Sequence, residues 1–438
     1  MTLRTTSRSG AVNAGFRDLA SLLHPTAGLV ETHSVEPPSA STVGMWRVTI
    51  RLACEHNSGA GSSVLQPCVT GAAAPTRSEA LLRALGETIE RTALHGATGV
   101  VAAATELGSR AFTGDGRDLS LSSLDPAALT RWYPARHVRS DREVLVPSGL
   151  VDYPGPRGEA GFDHGPSGGA SGFGYDAALR SALLETVERD AVIVSWARQL
   201  QLRAIDLEGL RAGDGDSNGW RRVDHLLNLG VAAGLSPVVA EIPTSVHGVR
   251  CAVGGFSADT SSGRAICIGA KASDELSTAV SGALSESLQL LQHMVAMRVA
   301  QAGCEPPTQI AGDEDRLSFI ASARGVDALE RWFADPAPAT SPAALAEDAL
   351  SCEELLRLCM ADGLDPLVLD LTGRLPQSAR DMGWSVVKVV PAGYQPLRVD
   401  ERCAFGWHLG RLASAPRRTD VRARLDTDQR GWAPHPLP

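Results

Sequence analysis

An α/β or α+β fold is what this sequence predicts, and three observations carry the prediction. Stretches with apolar residues at helical spacing alternate with short β-branched runs. The 438 residues are 43% hydrophobic and 21% charged, the composition of a folded chain and not of a disordered one. No apolar run approaches the roughly 18 residues that a membrane span requires. In chain order, a loose tail over 1–15 precedes a short helix near Phe16–Leu23. MWRVTIRLA (45–53) alternates as a strand. SEALLRALGETIERTALHG, from Ser78 to about Thr98, places Leu81, Leu82, Leu85, Ile89 and Leu94 at helical spacing, with Gly96 as a stop signal. Residues 114–175 are rich in Gly, Pro, Ser and Asp, and DYPGPRGEAGFDHGPSGGASGFG reads as loop. A second long helix is expected over about Tyr175–Leu202 and a third over about Asp274–Ala302, with strands in VAAGLSPVVAEIP (231–243) and RCAVGGFSA (250–258) between them. The Pro- and Ala-rich stretch 305–345 reads as surface. PLVLDLT (366–372) and WSVVKVVPAG (384–393) read as short buried strands, and 411–438 is Arg-rich before ending in WAPHPLP.

A net charge of −9 argues against a nucleic-acid binder and against attraction to anionic membranes. The eight cysteines form no C-x-x-C pair, so a structural zinc site is not predicted. Scattered in this way, they read as reduced thiols of a cytoplasmic protein. The first residues contain no hydrophobic segment of a secretory signal.

Two helices carry the same acidic pattern. GETIER supplies Glu87, Glu90 and Arg91, and LETVERD supplies Glu185, Glu188, Arg189 and Asp190. A spacing of three puts each glutamate pair on one helical face. Inward-facing carboxylates repel and cannot stay ionised without a partner, and hard oxygen donors suit Mg²⁺, which commonly completes its shell with phosphate oxygens. The same spacing also suits Glu–Arg pairs on a solvated face. SESLQ places Glu286 and Gln289 one turn apart, SGGASGFG offers backbone N–H groups ahead of a helix, and PHPLP holds an extended terminus.

Taken together, GETIER, SGGASGFGYDAALRSALLETVERDA and SESLQ, in that order, resemble the YcaO family over about residues 16–438. The resemblance implies one domain over 16–438, with mixed sheets packed by long helices around a carboxylate-lined nucleotide cavity. ATP and Mg²⁺ are the implied cofactors. Glu87, Glu90, Glu185 and Glu188 are the implied metal ligands, and Glu286, Gln289, Ser167, Gly168, Arg91 and Arg189 the implied cofactor-binding residues. The terminal P-x-P-x-P resembles the azoline-forming branch, whose members convert Cys, Ser or Thr of a ribosomally made precursor peptide to thiazoline or oxazoline by phosphorylating the backbone amide oxygen. In that reading the Pro438 carboxylate is a general base or orienting group, and His435 assists it. The overall look is that of a thiopeptide-type, split cyclodehydratase in an antibiotic pathway. It is expected to act with a separate leader-binding, E1-like (ThiF-like) partner and a downstream flavin dehydrogenase, and as a homodimer. Thioamide or amidine formation on the same fold, or a non-catalytic scaffold subunit, are the alternatives. The chain departs from the family pattern at Ser167–Gly168, Arg83, Phe173, Ala177 and Gly282, which thins the expected nucleotide contacts.

Overall fold

The structure, a computed structural model, describes residues 19–53, 68–112, 121–155, 161–209, 218–339 and 349–437. Strands β1 (Val30–Glu36), β2 (Trp46–Leu52) and β3 (Val69–Ala74) form an antiparallel sheet in that order, with β3 at its edge. In β2 the alternation seen in the sequence becomes alternation in space: Val48, Ile50 and Leu52 are buried and Arg51 is exposed. Helix α1 (Arg77–Leu94) follows. Its N-cap is Thr76, whose hydroxyl accepts from the Glu79 N–H at 3.3 Å, so the helix starts just ahead of Ser78. Leu81, Leu85, Ile89 and Leu94 pack inward as their spacing predicts, while Leu82 faces solvent.

The largest sheet contains β4 (Val100–Ala103), β5 (Leu129–His137), β6 (Arg142–Pro147) and β7 (Gly169–Phe173) together with two later strands. Three of these strands lie in the Gly-, Pro-, Ser- and Asp-rich stretch 114–175, and β7 falls within the segment expected to be loop. β5 and β6 pair from Trp132–Pro147 to His137–Arg142, because Tyr133 and Ala135 supply one buried face and Trp132 is buried on the other, a pattern that the surrounding Gly and Pro content concealed. β7 forms from the glycine-rich segment itself, since its glycines allow contacts that side chains would block. A Cβ on Gly172 would lie 2.6 Å from the Ala178 nitrogen.

Helix α2 (Tyr175–Arg198) runs through the centre of the molecule and is buried all round from Asp190 to Arg198. Helix α3 (Asn218–Ala232) leads into β8 (Ser236–Ile242), β9 (Arg250–Thr260) and β10 (Gly263–Ser273), an antiparallel sheet covered by α4 (Leu276–Ala300). The 305–345 stretch is not simply surface. It holds α5 (Asp313–Ala321) and α6 (Ala323–Phe333), and Leu317, Phe319, Leu329 and Trp332 are buried. The prolines bracket these helices and do not interrupt them. Helix α7 (Cys352–Ala361) precedes β11 (Asp365–Asp370) and β12 (Trp384–Ala392), which join the large sheet in the order β4-β5-β11-β12-β7. Helix α8 (Leu409–Thr419) ends the regular structure; its Arg411 is buried against Asp190 of α2 and Asp362, at 2.7 and 2.6 Å. The named strand pairings are antiparallel, so α+β is the form the fold takes. Among the described residues no helix is long and apolar enough to cross a membrane. Cys251, Cys267 and Cys359 are buried free thiols, and Cys304 is exposed.

Candidate functional site

Helices α1, α2 and α4 bring their acidic motifs to one cavity of about 440 Å³ that opens to solvent. Glu87 and Glu90 enter from α1, Glu185 from α2 and Glu286 from α4, with Asp313 at the start of α5. Four cations share the wall: Arg83, Arg91, Arg189 and Lys271. The close approach of α4 to β10 depends on Gly269, where a Cβ would stand 2.5 Å from the Glu286 Cβ.

Each carboxylate has a distinct environment. Glu87 Oε2 accepts from the Gly71 N–H at 3.3 Å, and its Oε1 lies 3.6 Å from Arg91. Burial pushes the Glu87 carboxyl above the ordinary range, with Arg91 opposing. Glu90 is pushed up to about 8, by burial first and then by repulsion from Glu185 and Glu87, against the pull of Arg91. Glu286 is pushed up to about 7 by burial and by the charge of Glu188. Arg189 reaches both carboxylates of its own motif, Glu185 at 3.5 Å and Glu188 at 3.3 Å, and these neighbours hold its proton more tightly than usual.

The predicted residues do not all open into the cavity. Glu188 is 1% exposed and lies behind the wall, where its Oε2 accepts from the Ala272 N–H at 3.1 Å and stands 3.5 Å from Lys271 Nζ. It thus orients Lys271 and Arg189. Gln289 does line the cavity, but its amide is committed to edge strand β3: Nε2 donates to the Gly71 carbonyl at 3.0 Å and Oε1 accepts from the Ala73 N–H at 3.3 Å. The edge of a three-stranded sheet is thereby satisfied by side chains of α1 and α4. Ser167 sits between this cavity and a second, smaller one of about 60 Å³, while Gly168 lines only the second. Gly168 has φ +81°, and a Cβ there would fall 2.3 Å from the Val389 carbonyl oxygen. Of the positions that depart from the family pattern, Arg83 lines the cavity and donates to the Ala73 carbonyl at 3.3 Å, Gly282 packs on the Lys271 side chain, and Phe173 stacks on Trp384 with ring centroids 4.1 Å apart.

His435 is buried. Its Nε2 donates to the Arg398 carbonyl at 2.7 Å, and burial beside Arg316 drives its pKa well below the ordinary value. The ring therefore anchors the C-terminal segment and does not face the carboxylates. Leu437 does reach the cavity wall. Pro438 lies outside the described residues.

Sequence reasoning missed Asp313, Lys271 and Lys388. Lys388 is buried on β12, with Nζ donating to the carbonyls of Gly165 (3.2 Å), Pro166 (3.2 Å) and Ser167 (2.7 Å), and burial lowers its pKa to about 8. A signal for both lysines was present: each is a charge set within an apolar run, AICIGAKA for Lys271 and VVKVV for Lys388, which is costly unless it has partners.

Among the described residues no three His, Cys, Asp or Glu side chains stand close enough to hold a metal by themselves. The donor set nonetheless fits a divalent ion carrying phosphate. Oxygen donors from separate helices converge, burial and then repulsion from neighbouring carboxylates raise the pKa of Glu90 and Glu286, and cations for further anionic groups stand beside them.

A family model described as YcaO cyclodehydratase, ATP- and Mg²⁺-binding, matches residues 71–395. Solved structures resemble the fold over 82–100% of this chain. A heterocyclase in complex with substrate and cofactor aligns at TM-score 0.71 and 18% identity, covering 100% of this chain and 59% of that one. YcaO from Methanopyrus kandleri, bound with AMPPCP and Mg²⁺, aligns at 0.63 and 17%, covering 89% and 94%. The E. coli microcin synthetase McbBCD complex aligns at 0.55 and 14%, covering 82% and 86%. This chain thus spans 59% of the first of these proteins, less than two thirds of its length. No curated protein matches the sequence. The chain belongs to the YcaO family, whose cofactors are ATP and Mg²⁺.

Proposed function

We propose that this YcaO-family chain is an ATP-dependent cyclodehydratase that converts Cys, and by the same chemistry Ser or Thr, of a ribosomally made precursor peptide to thiazoline or oxazoline. The observation that carries the reading is the meeting of Glu87, Glu90, Glu185 and Glu286 in one cavity whose wall includes Leu437 of the C-terminal segment. Bound Mg²⁺ and ATP would supply charge neutralisation and the phosphoryl group that turns an amide oxygen into a leaving group.

The chain's own residues have separable tasks in this proposal. Glu87, Glu90 and Glu185 hold the metal, and Glu286 joins them from α4. Arg189 and Lys271, oriented by Glu188, face the phosphates, and Arg83 and Arg91 of α1 add their charges to the wall. Gln289 braces β3 against α4 and so keeps Glu87 in place through Gly71. Ser167 and Gly168 belong to a loop fixed by Lys388. The Pro438 carboxylate orients or deprotonates the reacting amide, and His435 serves as the peg that brings the terminus there. The microcin synthetase is a complex of several chains, and this chain is proposed likewise to act with a leader-binding, E1-like partner, with a flavin dehydrogenase downstream and as a homodimer, in a thiopeptide-type pathway.

The test is mass spectrometry of a Cys-rich precursor peptide after incubation with the chain, its partner and Mg-ATP. An ATP-dependent loss of one water mass per ring is the expected result. ATP turnover with an unchanged peptide mass refutes the reading. Deleting residues 436–438 is expected to abolish ring formation and leave nucleotide binding in place.

A further inference from the structure

One buried guanidinium ties the C-terminal segment to the cavity. Arg316, on α5, is fully buried. Its Nη1 donates to Glu401 Oε1 at 2.5 Å and to the His435 carbonyl at 3.3 Å, and its Nη2 donates to the carbonyls of Arg398 at 2.7 Å and Val399 at 2.9 Å. Glu401 Oε1 accepts in addition from the His435 N–H at 3.1 Å. The 398–401 loop and residue 435 are therefore joined through one cation and one anion. Upstream, Trp432 lies on Trp196 with ring centroids 4.9 Å apart, and the two indoles exchange bonds with backbone: Trp432 Nε1 to the Trp196 carbonyl at 3.0 Å and Trp196 Nε1 to the Ala433 carbonyl at 3.1 Å. Two residues beyond His435, Leu437 enters the cavity wall beside Leu397 and Val399.

We propose that Arg316, with Glu401 as its counter-ion, is the positioning pair that sets the register of the C-terminal segment against the carboxylate cavity. The inference rests on the reading of that cavity as the cyclodehydratase site. A buried ion pair is seldom the most stable choice for an interior, since apolar residues of similar volume do as well or better. What the guanidinium offers is geometry: its planar fork holds three backbone carbonyls from two separate segments, which a lysine's point charge does not. The carbonyls it holds flank the wall residues directly. Val399 is itself in the wall, and His435 is two residues from Leu437. Helix α5 also carries Asp313 into the same cavity one turn earlier, so one rigid element places an acidic group and the segment's anchor together.

The experiment compares wild type with Arg316→Gln by hydrogen exchange, Mg-AMPPCP binding and ATP turnover in the presence of a Cys-containing peptide and the partner protein. The amides of Ala433, His435 and Leu437 are expected to exchange about tenfold faster or more, with protection in α1 and α2 unchanged. Mg-AMPPCP affinity and the KM for ATP stay at wild-type values, and kcat falls by about tenfold or more. Should Arg316→Gln fail to fold, Glu401→Ala carries the same comparison, because it leaves Arg316 its three carbonyls. Wild-type exchange at those three amides, or a loss of turnover carried by KM instead of kcat, overturns the proposal. A wild-type chain that turns over ATP without changing the peptide's mass overturns the functional reading instead, and the exchange comparison still decides whether the pair seats the segment.

Discussion

Binding of Mg-nucleotide is expected to expel protons from the cavity, and the structure sets how many. Glu90 titrates near 8 and Glu286 near 7, in both cases because burial and neighbouring carboxylates penalise the charged form. At pH 7 the first is about 0.9 protonated and the second about 0.5, so a ligand that requires both ionised releases about 1.4 protons. A raised carboxyl holds its proton, the metal competes with it, and affinity rises with pH until both groups are ionised without help. The gain is about tenfold from pH 7 to 8 and only about twofold from 8 to 9. Calorimetry of Mg-AMPPCP binding in buffers of different ionisation enthalpy reads the proton count. In Glu90→Gln the released protons should drop to about 0.5 and the gain from pH 7 to 8 to about twofold. Binding with a buffer-independent heat and a flat pH profile would refute the argument, since it would mean that the ligand does not engage these carboxylates.

The other expectations concern what surrounds the cavity. Glu188→Ala leaves Lys271 and Arg189 without their shared counter-ion and should cost about 2–4 kcal/mol of stability. It should weaken Mg-AMPPCP binding without altering the Mg²⁺ concentration that binding requires, as titration of Mg²⁺ at fixed nucleotide would show. Gly168→Ala forces a side chain into a left-handed conformation and onto the Val389 carbonyl, and thermal unfolding should report a loss of about 2–4 kcal/mol. Acid should loosen the C-terminal segment. Burial, and then the charges of Arg316, Arg398 and Arg189, make His435 in the folded chain resist protonation and outweigh its hydrogen bond to the Arg398 carbonyl and Glu401 at 3.9 Å, so below about pH 6.5 the released segment takes up a proton that the seated one does not. Between pH 7.5 and 5 the open population should grow by up to about 30-fold, measured by exchange at the Ala433 and Leu437 amides after correction for intrinsic rates.

The amino-acid sequence alone determined the parts of this protein that depend on local periodicity. The spacing of three in GETIER and LETVERD holds on any helix, so the co-facial glutamates were legible, and so were the three long helices and the buried strands around Val48 and Val387. Local reading failed where composition misled it. β5 and β6 hide among turn formers, β7 is built of the glycines that suggested loop, and α5 and α6 sit between prolines. Tertiary structure alone decided which members of each motif open into the cavity. Glu188 turns back to Lys271 and Gln289 is spent on the edge of β3, because a buried polar group takes the nearest partner that satisfies it, and that partner lies more than a hundred residues away in the chain for Gln289 and on another element for Glu188. Which backbone passes beside a side chain is a property of packing, and no spacing along the chain encodes it.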